Sequence, residues 1–176
     1  MSGGGDGAAP PEGRFRVLHH ARDDQDPRPT MGEIGLNQFA PYLMNRIMAR
    51  WNANMAEALK ADGISTATMR ALAVLSISSG LTINELSVFA VTEQSTMSRA
   101  LDGMEEQRLI RRVQRAEDMR VREVHITDAG RAAFERIWPT MYDMFDRMFD
   151  GVDEAEYQAF VSTLHRVLRN IRKHDV

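Results

Sequence analysis

Apolar residues recur every three or four positions along most of this chain, which is the spacing of amphipathic helices. One stripe predicts a long helix over about residues 38–61, and the next predicts a helix from Ser65. Towards the end of the chain, two more stripes predict helices that begin at Thr127 and Asp153. The stripe of the first helix consists of Phe39, Leu43, Ile47, Trp51, Met55 and Leu59.

Two shorter helices are predicted in the middle of the chain, between residues 81 and 106. Thr82 precedes Glu85 by three positions, which is the spacing of a capping box at a helix start. After a short turn, Thr92 is expected to cap the second helix. The pair predicts a helix-turn-helix. The second helix turns Met97, Ala100, Leu101 and Met104 inwards.

The hydrophobic period then changes from a helical spacing to an alternation, which predicts two short strands joined by a turn over 115–120. Six arginines accompany only two carboxylates between residues 108 and 122, although the whole chain has a net charge of −3. This basic island on an acidic protein favours a polyanionic partner over a merely solvated hairpin. The strand residues are Ile110, Val113, Val121, Val124 and Ile126.

The exposed face of the second central helix carries short hydroxyl side chains and one arginine at its N-terminal end. Such side chains can approach phosphates and base edges in a major groove closely. In the hairpin turn, the Asp118 carboxylate is expected to accept hydrogen bonds from turn amides and so steady Arg120. The predicted DNA contacts are Ser95, Thr96, Ser98 and Arg99 on the helix, with Arg115, Arg120 and Arg122 on the hairpin.

Four motifs in order resemble the MarR family, the multiple-antibiotic-resistance type of bacterial transcription regulator. They are Gln94-Ser-Thr-Met-Ser-Arg-Ala-Leu-Asp-Gly-Met-Glu105, Leu109-Ile110, Asp118-Met-Arg120 and Ile126-Thr-Asp-Ala-Gly130. The resemblance covers about residues 35–172 and departs from the family pattern at Gly103 and at Arg120-Val-Arg122. It implies a homodimeric winged helix that binds pseudo-palindromic operators. Small ligands, often aromatic or anionic, commonly release such proteins from DNA.

The fold class expected from these patterns is mainly α with a small β-wing. A winged helix-turn-helix segment, about residues 64–127, is flanked by dimerisation helices at about 36–62 and 128–173. The flanking stripes are too long for so small a core, so they predict a homodimer rather than packing within one chain. Residues 1–30, rich in Gly and Pro, predict a low-complexity tail before a single domain over 31–176.

Composition excludes several classes of function. The chain has 176 residues, 43% of them hydrophobic, and no cysteine, which rules out disulfides, thiol redox sensing and cysteine-bound zinc. Neither an apolar run of 18 residues nor a signal peptide is found, so a cytoplasmic location without membrane attachment is expected. The sequence shows no catalytic constellation, so we expect no enzyme, no cofactor and no metal site.

Two questions stay open at this level. Arg46 and Arg50 lie one helical turn apart beside Trp51, a combination suited to an aromatic carboxylate as inducer, although arginines that only extend from a dimer helix are the favoured explanation. The function is expected to be a DNA-binding regulator, a repressor released by a small ligand. The alternative is a dimeric winged-helix adaptor whose basic hairpin binds an acidic protein.

Overall fold

The computed structural model describes residues 29–171 as mainly helical with one small antiparallel sheet. The helices are α1 (Met31–Ile34), α2 (Ala40–Lys60), α3 (Thr66–Ile77), α4 (Ile83–Phe89), α5 (Gln94–Glu106), α6 (Asp128–Met148) and α7 (Glu154–Ile171), with a 3-10 turn at Leu36–Gln38. The strands are β1 (Leu81–Thr82), β2 (Ile110–Gln114) and β3 (Arg122–Ile126). Within the described residues, no helix has the length and apolarity needed to cross a membrane.

Two compact units follow one another along the chain, and the division falls between Arg50 and Trp51 inside α2. In the first unit, Thr30 and Glu33 form a capping box that starts α1. The first half of α2 leaves Leu43 and Ile47 of the predicted stripe exposed. The predicted tail lies outside the described residues except for its last two positions, so the boundary at residue 31 stays a prediction.

The core of the second unit is built around α3, α4, α5 and the sheet. Burial of a large aliphatic side chain contributes about 1.5–3 kcal/mol, so the buried side chains of this core are the main source of stability in the second unit. A smaller cluster joins Met55 and Leu59 of α2 to Met69 of α3 and Ile137 of α6. The fully buried large side chains of the main cluster are Leu72, Leu75, Leu86, Met97, Leu101, Met104 and Val124.

Local capping explains where two of the helices begin. The predicted capping box at α4 is confirmed: Glu85 Oε2 accepts from the Thr82 backbone N–H at 2.8 Å, and Thr82 Oγ1 accepts from the Glu85 N–H at 3.3 Å. Thr127 likewise caps α6. The predicted Thr92 cap is wrong. Helix α5 starts after Glu93 without a side-chain cap, because the Thr92 hydroxyl instead donates to the Ala90 carbonyl in the turn.

The sheet has the strand order β1-β3-β2, and both pairings are antiparallel. In the hairpin of β2 and β3, Ile110 pairs with Ile126 and Gln114 with Arg122. Strand β1 was not predicted, since its two residues are too few to show an alternation; Leu81 lies opposite Val124. The predicted fold class, mainly α with a small β-wing, is confirmed. We call the β2–β3 hairpin the wing.

Candidate nucleic-acid interface

Helix α5 separates a buried face from an exposed polar face along its whole length. Met97, Leu101 and Met104 point into the core, which fixes the rotation of the helix. Ser95, Thr96 and Arg99 are exposed, and Ser98 is half-buried. The result is a strip of small hydroxyls with one arginine at the N-terminal end of the helix.

Arg99 lies along its own helix rather than against a carboxylate. Its Nε donates to the Ser95 carbonyl oxygen at 3.3 Å, and no ion pair to it is found within residues 29–171. The guanidinium therefore keeps its terminal N–H groups available at the edge of the hydroxyl strip. A free fork of this kind matches the two acceptors of a guanine edge.

Arg70 of α3 stabilises the turn between α4 and α5 through a hydrogen bond. One terminal nitrogen of Arg70 donates to the Val91 carbonyl at 3.0 Å, and the other donates to Asn52 Oδ1 at 2.8 Å. Val91 has a φ of +48°, an unfavourable conformation for a β-branched residue. Arg70 thus holds the turn that aims α5. Sequence reasoning missed it, since its partners lie too far along the chain to share a motif.

The tip of the wing is ordered by its aspartate, as expected from the sequence. Asp118 Oδ1 accepts from the Arg120 backbone N–H at 3.0 Å, and the Asp118 carbonyl accepts from the Val121 N–H at 2.9 Å. The hairpin closes with the Arg115 N–H donating to the Val121 carbonyl at 2.9 Å. Arg120 is exposed at this tip.

Arg115 is partly engaged within the wing. Its Nε lies 2.6 Å from Glu123 Oε1, and this hydrogen bond holds the pKa of the Glu123 carboxyl below its usual value. His125 Nε2 lies 3.3 Å from the other oxygen of Glu123. The two terminal nitrogens of Arg115 remain available to a ligand.

Arg112 is the second arginine of the basic island that forms an ion pair, and it pairs with two carboxylates. Its terminal nitrogens lie 2.7 Å from Asp102 Oδ1 and 3.2 Å from Glu105 Oε2, both on α5. Sequence reasoning counted Arg112 as an available cation and missed this pairing. The exposed positive charge of the island is therefore smaller than its count of arginines indicates.

Arg122 lies on the face of the wing that is turned towards α5. Cross-strand pairing sets it opposite Gln114, two positions along β2 from Arg112. An open polar groove between α5 and the wing is lined by Glu105, Arg112, Val113, Gln114 and Arg122. Within the described part of the chain, neither Arg120 nor Arg122 forms an ion pair. These two arginines, with Arg99, are the uncommitted cations among the predicted contacts.

The residues predicted to hold an inducer differ in their surroundings. Arg46 and Arg50 are exposed on the first half of α2, and the guanidinium carbon of Arg46 lies 5.7 Å from the centre of the Tyr42 ring. Trp51 is half-buried and packs against the cluster around Met55. Their role in ligand binding stays a prediction.

A helix pair followed by a two-stranded wing defines the winged helix-turn-helix class. A model of the MarR family matches residues 62–120. The crystal structure of a MarR-family transcriptional regulator from Silicibacter pomeroyi is 51% identical, with a TM-score of 0.80, and covers 84% of this chain and 100% of that one. This chain belongs to the MarR family of transcription regulators. Proteins of this family bind DNA, usually as dimers.

Two further relatives bear on function. The HTH-type transcriptional repressor IacR of Pseudomonas putida is 29% identical over 143 residues, 81% of this chain and 86% of that protein. Bordetella bronchiseptica BpsR, whose DNA binding is regulated by 6-hydroxynicotinic acid, shares the fold at 20% identity and a TM-score of 0.66, over 76% of this chain and 95% of that one. Membership of this family does not favour the alternative of an adaptor for an acidic protein.

Proposed function

We propose that this regulator is a homodimeric repressor of a pseudo-palindromic operator, with α5 in the major groove and the wing over the adjacent minor groove. The observation that carries the proposal is the exposed strip on α5, where small hydroxyls flank Arg99. Uncommitted arginines on the wing, Arg120 and Arg122, extend the same surface. Small side chains let the helix backbone approach the base edges, and the arginines supply charge against phosphates.

Each predicted contact receives a role in this proposal. The helix residues read base edges, and Arg99 makes the strongest of these contacts through its fork. Arg120 enters the minor groove, where the negative potential of a narrow groove attracts arginine, or contacts the phosphates beside it. Arg122 and the terminal nitrogens of Arg115 contact phosphates. The proposed base-reading residues are Ser95, Thr96, Ser98 and Arg99.

The proposed dimer is supported by apolar side chains that a single chain leaves in solvent. Helix α7 buries none of its 18 residues, although Leu168 is 56% exposed and Ile171 is 70% exposed. Trp138 on α6 is 49% exposed. A second copy that covers these faces removes them from water. The two α5 helices of the dimer would then lie about 34 Å apart, one turn of DNA.

The proposed inducer is an aromatic carboxylate. BpsR responds to 6-hydroxynicotinic acid, a ligand of that chemistry. In this chain, Arg46 and Arg50 are one turn apart on α2 and next to Trp51. Calorimetry with a panel of aromatic acids, followed by release from DNA, tests the idea. If Arg46→Ala and Arg50→Ala bind the acid with the same heat as the unaltered protein, these arginines do not hold the ligand and only extend into solvent.

The proposal also includes a cytoplasmic location, where the operator DNA is accessible, and no catalytic reaction. Membership of a family of transcription regulators supports both parts of the proposal. Detection of the protein in a membrane or secreted fraction contradicts the first, and turnover of any small molecule by the purified protein contradicts the second.

Selection of binding sites from random duplexes tests the main proposal. A pseudo-palindrome with about ten base pairs between half-site centres is expected. Arg99→Ala should cost about 1–3 kcal/mol on that site and less on random DNA. Arg136→Ala is the matched control, because Arg136 also donates to the carbonyl four residues earlier, on α6. Failure to select any preferred sequence overturns the proposal.

The wing is tested by the salt dependence of binding. Each phosphate contact contributes about 0.9 to the slope of log affinity against log salt, so Arg120→Ala should lower the slope by roughly 2 in a dimer with two wings. If affinity and slope are unchanged in Arg120→Ala and fall only in Arg122→Ala, Arg122 is the wing contact and Arg120 is not.

A further inference from the structure

We propose that Arg112 is a positioning residue that clamps the recognition helix α5 to the wing, and that this clamp sets the specificity of DNA binding. The inference rests on the proposed function and adds to it a role for three residues, Arg112, Asp102 and Glu105, that are not assigned to touch DNA. It concerns the angle between the two DNA-reading elements rather than a further contact.

Three contacts make up the clamp. The Arg112 guanidinium reaches Asp102 at 2.7 Å and Glu105 at 3.2 Å, and the Arg112 backbone N–H also donates to Glu105 at 3.2 Å. Asp102 and Glu105 are three positions apart on α5 and so share one side of the helix. The side chain of Arg112 is only 21% exposed. Helix α5 and strand β2 are therefore tied by both side chain and backbone.

The charge of the cluster argues against Arg112 as a phosphate contact. One guanidinium faces two carboxylates, so the cluster carries net negative charge, and in the proposed complex it lies on the side of the protein that approaches DNA. Carboxylates in such a place repel phosphates and lower affinity. Their presence is explained if what they contribute is geometry.

Apolar packing alone does not define that geometry. Leu101 and Met104 of α5 and Ile110 of β2 meet in the core, but the burial of apolar surface has no preferred direction. Hydrogen bonds between a guanidinium and carboxylates depend strongly on direction. The core contacts decide which face of α5 is buried, and the clamp adds a directional constraint on the angle between α5 and the wing. Arg122 lies on the same face of the wing as Arg112, so the clamp also sets the distance between Arg122 and the base-reading strip.

The Asp102→Asn/Glu105→Gln variant separates positioning from simple electrostatics, because the two explanations predict different changes in operator affinity and in the preference for the operator. If the carboxylates act only through charge, removing them strengthens binding to the operator and leaves the preference for it unchanged. If they hold the clamp, the ratio of operator affinity to random-duplex affinity falls, on the order of tenfold, as for coupling between adjacent groups. Arg112→Ala should lower the ratio similarly, with a salt slope close to that of the unaltered protein.

Glu106→Gln is the matched control, because Glu106 is an exposed carboxylate on the same helix without an ion pair in residues 29–171. It should leave the ratio unchanged. Urea unfolding of each variant checks that the fold is kept, and Arg112→Lys, which cannot span both carboxylates as a fork, should recover only part of the ratio.

A lowered ratio in both clamp variants, with the control unaffected, supports positioning. An unchanged or raised ratio in Asp102→Asn/Glu105→Gln overturns it. So does Arg112→Ala weakening both duplexes equally with a slope lower by about 2, which identifies a phosphate contact. If the unaltered protein shows no preferred duplex, the proposed function fails instead.

Discussion

Substitution of Gly130 by alanine should destabilise the fold, although alanine is the better helix former. Gly130 lies in the first turn of α6, buried against the start of β2. A Cβ at this position would overlap the Leu109 carbonyl oxygen and come within 2.8 Å of Ile126 Cγ1. Because one of these neighbours is backbone, the helix itself has to move away.

The size of the effect follows from what that movement breaks. The Thr127 N–H donates to the Leu109 carbonyl at 3.0 Å, and the Thr127 hydroxyl donates to the Arg108 carbonyl at 2.7 Å. Each bond contributes about 1 kcal/mol, and forcing extra volume into a packed site costs about 1–3 kcal/mol. Alanine returns at most about 1 kcal/mol through helix propensity. We expect a net loss of roughly 2–4 kcal/mol in the free energy of unfolding.

Urea unfolding followed by circular dichroism measures this loss, with the protein concentration held constant because the proposed dimer would make stability depend on concentration. Gly103→Ala is the matched control. Gly103 is also a helical glycine, on α5, but a Cβ there meets no atom within 4 Å. It should stabilise the protein by about 0.5–1 kcal/mol. A Gly130→Ala variant within about 0.5 kcal/mol of the unaltered protein, the usual range of neutral changes, refutes the reasoning.

Three further predictions concern other parts of the chain. Leu168→Glu places a charge on the exposed apolar face of α7 and should convert a dimer into monomers by sedimentation; an intact dimer contradicts the proposed interface. Arg70→Ala removes the hydrogen bonds to Val91 and Asn52 and should lower the free energy of unfolding by about 1.5–3 kcal/mol, the value of hydrogen bonds from a charged donor. An unchanged urea titration would contradict a role of Arg70 in holding the turn. Hydrogen bonds from Thr82 hold the pKa of Glu85 below its ordinary value, so this stabilisation is present above about pH 4.5 and is lost as the pH falls through the lowered folded-state pKa. Unfolding of Glu85→Gln from pH 7 to pH 3 should therefore show a smaller acid-induced loss than the unaltered protein, and equal losses would contradict this.

The sequence by itself determined the features whose partners are near in the chain. The capping box of Thr82 and Glu85 spans three residues, and the hydrogen bond from the Arg120 amide to Asp118 spans two. The helical stripes likewise depend on a fixed local period. The resemblance to the MarR family, carried by the α5 and wing motifs, pointed to the family shown by the comparisons.

Tertiary structure decided which charges of the site remain available. Composition gives the basic island six arginines, but only strand register and the packing of α5 bring Arg112 onto Asp102 and Arg115 onto Glu123. Strand β1 is similar: its two residues become a strand because Leu81 meets Val124, far along the chain. Local preferences act over one turn of backbone, whereas ion pairs and strand pairing depend on distances that exist only after the core has formed. The register that buries Ile110 and Ile126 therefore also determines which arginines are free to meet DNA.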